Sequence, residues 1–141
     1  MRTYSATTTI QASPETIWTI LTDAQGYLAW EPNVTRIVGT IAAGEKVTIY
    51  SRLNPTRAFP LRVTEFVPSQ RMTWTGGMPL GLFTGVRTFT LTPTGTGSTD
   101  FTLREEFSGP LLGLFGRAIP DLTASFEDFV AALKTRAERA P

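Results

Sequence analysis

Apolar and polar residues alternate in short stretches through most of the chain, with glycine, proline, asparagine and serine between them. Such alternation predicts β-strands, because successive side chains of a strand point to opposite faces. The predicted strands are Thr3–Gln11, Val34–Gly39, Lys46–Leu53, Phe59–Val67, Arg71–Gly76, Val86–Pro93 and Thr99–Ser108. Short connections between the last six strands predict an antiparallel meander.

Three helical segments are predicted beside the strands. Ser13-Pro14-Glu15 is typical of a helix start, since serine caps and proline fits the first turn. A second short helix or turn is expected at Asp23–Trp30. Apolar residues three and four apart predict a C-terminal helix from Leu111 to Glu138, roughly 40 Å long and kinked or divided at Pro120. The chain is therefore predicted to be one α+β domain, residues 1–141.

The hairpin closed by Gly95-Thr96-Gly97 predicts a pair of opposite charges within apolar strand faces. Its register sets Arg87 opposite Glu105 and Phe89 opposite Leu103. A buried ion pair adds little stability, so its presence suggests a polar contact point inside a cavity. Two interpretations stay open: the pair holds a ligand's carbonyl, carboxylate or hydroxyl group, or the two side chains satisfy only each other.

A second hairpin gives a testable register. A four-residue turn at Pro68–Arg71 predicts that Val67 pairs with Met72 and Glu65 with Trp74. This register places five apolar side chains on one face. They are Phe59, Leu61, Val63, Met72 and Trp74.

The composition limits the possible chemistry. The 141 residues carry a net charge of +1 from scattered residues, so neither nucleic acid nor an anionic membrane is expected as a partner. The absence of cysteine and histidine excludes disulfides, thiol catalysis and His-based triads, and no metal or cofactor is expected. No apolar run is long enough to span a bilayer, and a cytoplasmic location is the expectation.

Four stretches resemble the polyketide cyclase/dehydrase branch of the START-like (Bet v 1-like, SRPBCC) superfamily. They are Ala12–Trp18 with Leu21-Thr22-Asp23; Trp30-Glu31-Pro32-Asn33-Val34; Arg87–Leu91 with Thr99 and Glu105–Gly109; and Phe129–Glu138. The resemblance implies a helix-grip fold, in which a curved antiparallel seven-stranded sheet wraps around the long C-terminal helix and two short helices follow the first strand. Members frequently carry histidine where this chain has Arg87, and arginine exchanges no proton usefully at neutral pH.

The resemblance implies a cavity for an apolar ligand and little about chemistry, because its members range from lipid carriers to cyclases. We therefore expect a small hydrophobic ligand, lipid-, polyketide- or aromatic-like, between the C-terminal helix and the sheet. The alternatives are a cyclase or dehydratase acting on a polyketide-like substrate, and an interaction module with a filled core. The expected ligand-binding residues are Arg87, Glu105, Trp74, Phe89, Phe101, Leu103, Phe107, Ile119, Leu122 and Phe126.

Glu105 is the one weak candidate for a catalytic residue. The neighbouring Arg87 stabilises the ionised carboxylate, which makes Glu105 a poor proton acceptor, so no catalytic residue is assigned. The other acidic residues are interpreted as helix caps or solvated faces. They are Asp23, Glu31, Asp121, Glu127 and Asp128.

The segment Gly76–Gly85 has four glycines around apolar residues, which is unusual for a simple turn. One interpretation is a mobile lid over the cavity, with glycines as hinges. The predicted lid residues are Met78, Leu80, Leu82 and Phe83. The alternatives are static packing against Leu111–Phe115 or a contact between subunits, so both a monomer and a homodimer are open.

Overall fold

The alternating segments form one antiparallel sheet of seven strands. The computed structural model describes residues 1–52, 54–115 and 121–139. The strands are β1 (Arg2–Ile10), β2 (Val34–Gly39), β3 (Lys46–Ser51), β4 (Asn54–Val67), β5 (Arg71–Met78), β6 (Phe83–Pro93) and β7 (Thr99–Ser108). The helices are α1 (Pro14–Thr22), α2 (Tyr27–Trp30), α3 (Leu112–Phe115) and α4 (Thr123–Arg139).

The strand order is β1-β7-β6-β5-β4-β3-β2, so consecutive strands are neighbours except for the first two. Because β1 and β2 occupy opposite edges, the segment carrying α1 and α2 connects one edge of the sheet to the other. The Ser13 side chain caps α1 by accepting from the Thr16 N–H at 3.1 Å, and Pro14 is the first helical residue. Both features confirm the predicted helix start.

The register predicted for the β6–β7 hairpin is confirmed. Arg87 pairs with Glu105, Phe89 with Leu103, and Leu91 with Phe101, and all three pairs lie on one face. The apolar members of these pairs are buried, so this face of the hairpin is the one that packs in the core.

The register predicted for the β4–β5 hairpin is wrong by one residue at the turn. Val67 pairs with Arg71, because the turn holds three residues and Ser69 adopts a φ of 63°. An irregularity at Thr64 then restores the expected face, and Val63 pairs with Trp74. Phe59 pairs with Ile49 on β3, beyond the last paired residues of β4 and β5, and is 38% exposed, so it lies at the margin of this face and outside the buried core.

The described part of the C-terminal segment contains α3 and α4, and Asp121 and Leu122 before α4 are not helical, so the segment is divided rather than one continuous kinked helix. Ile119 and Pro120 lie outside the described residues. Helix α4 has 17 residues and spans about 25 Å rather than 40 Å. It packs mainly on β1, and Lys134 donates to the Thr9 carbonyl at 2.7 Å. Its buried residues are Phe126, Phe129, Val130, Leu133 and Ala137.

Candidate functional site

Four inward side chains on adjacent strands form one polar row across the sheet. Trp74 on β5 pairs with Arg87 on β6, Arg87 pairs with Glu105 on β7, and Glu105 pairs with Tyr4 on β1. Directly opposed residues of antiparallel strands point to the same face. The four residues Tyr4, Trp74, Arg87 and Glu105 are called the polar row below.

The polar row separates the buried apolar core from an end of the sheet that carries glycine. On the core side lies a row of buried apolar residues, which are Ala6, Met72, Phe89 and Leu103. On the other side Gly76 pairs with Gly85, and Gly85 pairs with Phe107. A β-carbon added at Gly85 would lie 3.1 Å from the Phe107 ring, so glycine allows that ring to approach β6.

The ion pair at the centre of the row is partly buried and covered by α4. Arg87 Nε donates to Glu105 Oε1 at 2.7 Å, with the two side chains 27% and 13% exposed. The guanidinium carbon lies 5.1 Å from the centre of the Phe126 ring, a cation–π distance. The pair therefore lies on the helix side of the sheet, as predicted, and solvent reaches part of it.

Trp74 carries an unsatisfied polar atom into this region. Its side chain is 2% exposed, and its ring centre lies 4.7 Å from that of Phe89 and 6.2 Å from that of Tyr27. Its Nε1–H has no hydrogen-bond partner among the described residues. A buried donor without a partner costs about 1–3 kcal/mol, which a purely structural tryptophan normally avoids.

Glu31 is a buried carboxylate near the row: it is the C-cap residue of α2, one of the two predicted roles, whereas the solvated alternative is wrong. It is 5% exposed, follows α2, and accepts from the Asn33 N–H at 3.2 Å. Burial raises the pKa of Glu31, while the Asn33 N–H and the Arg87 guanidinium oppose that rise. The charge of Arg87 thus acts on two carboxylates. Sequence periodicity could not find Glu31, because a residue between two elements has no predicted face.

Tyr27 on α2 packs beside Trp74 of the polar row. Its hydroxyl donates to the Leu21 carbonyl at 2.5 Å, and burial raises the pKa of Tyr27 far above its usual value. The phenol is therefore neutral at physiological pH and is already occupied as a donor. Its ring stacks beside Trp74, which makes Tyr27 a packing residue that positions the row.

The other predicted ligand-binding residues divide between the row and the core. Phe126 and Phe107 adjoin the row, and the ring centre of Tyr4 lies 6.4 Å from the ring centre of each. Phe89 and Phe101 instead pack on Phe129, and Leu103 is fully buried. Leu122 is partly buried against the core, and Ile119 lies outside the described residues. Aromatic side chains therefore pack against one another in the middle of the space below α4.

The segment predicted as a lid lies at the glycine end of the row. Phe83 stacks on Phe107 with ring centres 5.9 Å apart, whereas Leu80 is 96% exposed. Met78 and Leu82 are also exposed. The Leu82 carbonyl accepts from the Leu111 N–H at 3.0 Å, which connects this segment to the approach to α3.

A groove of about 340 Å³ lies on the surface between α2 and α4. Its lining residues are Ala29, Trp30, Ala131, Ala132, Thr135, Arg136 and Arg139. No residue of the polar row lines this groove, so it is a separate surface feature.

Within residues 1–52, 54–115 and 121–139, acidic side chains do not gather in groups of three or more that would suit a metal ion. In the same ranges, no helix combines the length and the apolar character needed to cross a membrane.

The raised pKa of Glu31 predicts a pH dependence of stability. A carboxyl group whose pKa is higher in the folded state than its ordinary 4.5 binds protons more tightly when folded. The free energy of unfolding should therefore fall as pH rises from about 4.5 through the raised pKa, and then level off. Urea unfolding at several pH values should show that Glu31→Gln removes this decline, while the surface control Glu127→Gln keeps it. A decline that persists unchanged in Glu31→Gln would assign it to another group.

The sequence matches, over residues 1–138, the family described as Polyketide cyclase / dehydrase and lipid transport. The chain belongs to this family. No curated protein resembles the chain at a significant level.

Solved structures share the fold over nearly the whole chain. A START superfamily protein from Mycobacterium smegmatis is 17% identical with a TM-score of 0.72, and 97% of each chain is covered. The Zhui aromatase/cyclase from Streptomyces sp. R1128 is 15% identical with a TM-score of 0.75, covering 98% of this chain and 94% of the other. The Aha1 dimer from Colwellia psychrerythraea is 20% identical with a TM-score of 0.73, covering 99% and 98%. At these identities the likeness establishes the helix-grip fold alone.

Proposed function

We propose that this family member binds a small, mostly apolar molecule against the polar row. The observation that carries the proposal is the Arg87–Glu105 pair, which faces α4 between a buried apolar row and a glycine-lined end. Small-molecule sites are mostly apolar with a few placed polar groups. The other ion pairs of the described residues, Arg71–Glu65, Arg104–Glu106 and Lys134–Glu138, are all more exposed.

The location of the pair argues for recognition rather than stability. Burying two charges costs about as much as their attraction returns, so an apolar pair would stabilise the sheet at least as well. Partial exposure leaves the guanidinium within reach of a small molecule. The segment Gly76–Gly85 lies at the same end, and we assign it the role of a lid over the bound molecule. Static packing on Leu111 and a subunit contact are the alternatives for this segment.

Titration with the neutral fluorescent probe N-phenyl-1-naphthylamine tests the proposal. We expect saturable binding of one probe molecule per chain, detected by fluorescence and by native mass spectrometry. In nitrogen-15 NMR spectra, the Nε–H resonance of Arg87 should shift on binding. The Nε–H of Arg71 is a matched control, because it also donates to a carboxylate but on the exposed pair with Glu65. Absence of saturable binding, or a shift at Arg71 alone, would contradict the proposal.

A cyclase or dehydratase is the second candidate, and Glu31 is the observation that favours it. A carboxyl group whose pKa is raised by burial is better suited to proton transfer than an ordinary solvated carboxylate. The neighbouring Arg87 guanidinium offers hydrogen bonds to a developing negative charge. If a polyketide-like substrate is turned over, Glu31→Gln should abolish turnover and retain binding. If the protein only binds its ligand, no turnover should be detected in either the wild type or Glu31→Gln.

A further inference from the structure

The polar row has more hydrogen-bond donors than partners for them. The Trp74 Nε1–H is buried and unpaired among the described residues, and indole nitrogen acts only as a donor. Arg87 has five N–H groups, and its bond to Glu105 uses Nε, which leaves the terminal nitrogens for other acceptors. A molecule bound at this row therefore meets donors that require an oxygen acceptor.

The two donors belong to directly neighbouring residues of the sheet. Trp74 and Arg87 are directly opposed on β5 and β6, and β-carbons in such pairs lie about 4.5–5.5 Å apart. Both side chains extend from the same face. The Tyr27 hydroxyl does not compete for an acceptor, since it is occupied by the Leu21 carbonyl.

The charges around Arg87 disfavour an anionic ligand. Glu105 contacts the guanidinium directly, and Glu31 lies within its electrostatic reach. The Glu105 carboxylate already compensates the guanidinium charge, so a ligand carboxylate or phosphate would meet no net positive charge and would be repelled by Glu105. A neutral carbonyl oxygen accepts hydrogen bonds from the terminal N–H groups of Arg87 without that penalty.

We infer that the ligand presents a neutral carbonyl oxygen, of a ketone, ester or amide, to the Trp74 Nε1–H and the terminal N–H groups of Arg87. This inference rests on the proposed function, because it names the polar part of the molecule bound at the same row. Pairing a buried donor that is otherwise unsatisfied is worth about tenfold in affinity. The rest of the molecule is apolar, in keeping with Phe107 and Phe126 beside the row.

Three naphthalene probes of similar size test the inference: 2-acetylnaphthalene, 2-ethylnaphthalene and 2-naphthoate. We expect the ketone to bind about tenfold more tightly than the hydrocarbon, although a purely apolar site would prefer the hydrocarbon. The carboxylate should bind more weakly than the ketone. The variant Trp74→Phe should retain binding of the hydrocarbon and lose the preference for the ketone.

NMR gives a readout that does not depend on the variant folding. The three tryptophans, Trp18, Trp30 and Trp74, give three indole resonances that selective labelling resolves. The Trp74 Nε1–H should move downfield with the ketone and remain near its position with the hydrocarbon, while Trp18 serves as the control.

The outcomes separate the two proposals. If no probe binds, the proposed function fails and this inference fails with it. If the ketone and hydrocarbon bind equally and the Trp74 resonance does not respond to the ketone, the inference alone is overturned. If 2-naphthoate binds most tightly of the three, the site prefers an anionic group to a neutral carbonyl. That result would also overturn the inference.

Discussion

Replacing Phe129 with alanine should lower the free energy of unfolding by about 3–5 kcal/mol. Phe129 is buried on α4, and its ring meets four other aromatic rings, which belong to Tyr27, Trp30, Phe89 and Phe101. Removing it takes apolar surface out of the core and leaves a cavity that rings from three different elements cannot easily fill. Urea-induced unfolding, followed by circular dichroism, measures the loss.

Phe59→Ala is the matched control, because it deletes the same ring from an exposed position on β4. Its expected cost is smaller, about 1–2 kcal/mol, because 38% of Phe59 stays exposed to water and its removal leaves no enclosed cavity. Equal losses in the two variants would contradict the tight aromatic packing around Phe129. A small loss in Phe129→Ala would do the same.

Arg87→Ala should lower the free energy of unfolding by about 2–3 kcal/mol, mainly because it leaves the Glu105 carboxylate partly buried and without its partner. This is less than the cost for a fully buried pair, because solvent reaches 27% of the Arg87 side chain. The variant also loses the cation–π contact with Phe126. Thermal and urea unfolding at neutral pH measure the change.

The control Arg71→Ala breaks the exposed pair with Glu65 and should cost less than about 1 kcal/mol. The double variant Arg87→Ala with Glu105→Ala should recover part of the loss, because it removes the uncompensated charge as well. Equal costs for Arg87→Ala and Arg71→Ala would mean that the polar row behaves as ordinary surface. That result would remove the physical basis for the proposed site.

Local patterns were sufficient to predict the β6–β7 hairpin. The glycines at its turn and the strict alternation around Phe89 and Leu103 specify a single register, and that register pairs Arg87 with Glu105. In β4–β5, the turn length depended on Ser69 adopting a positive φ, which serine rarely does. The compensating irregularity at Thr64 leaves no sequence signal, so the error could not be anticipated.

The candidate site was predicted only in part, because it combines local and distant pairings. Tyr4 joins the row through the pairing of the first and last strands, which depends on the topology of the whole chain. Trp74 was predicted to face inward, but its partner Arg87 lies across a glycine-rich connection without a recognisable turn. Glu31 lies between α2 and β2, where burial follows from how helices cover the sheet and not from periodicity.

A crystal structure of the protein soaked with N-phenyl-1-naphthylamine tests the central claim most directly. The account predicts electron density for one probe molecule on the α4 side of the sheet, in contact with Arg87 and Trp74. Density confined to the groove between α2 and α4, or no probe density beside Arg87, would contradict it.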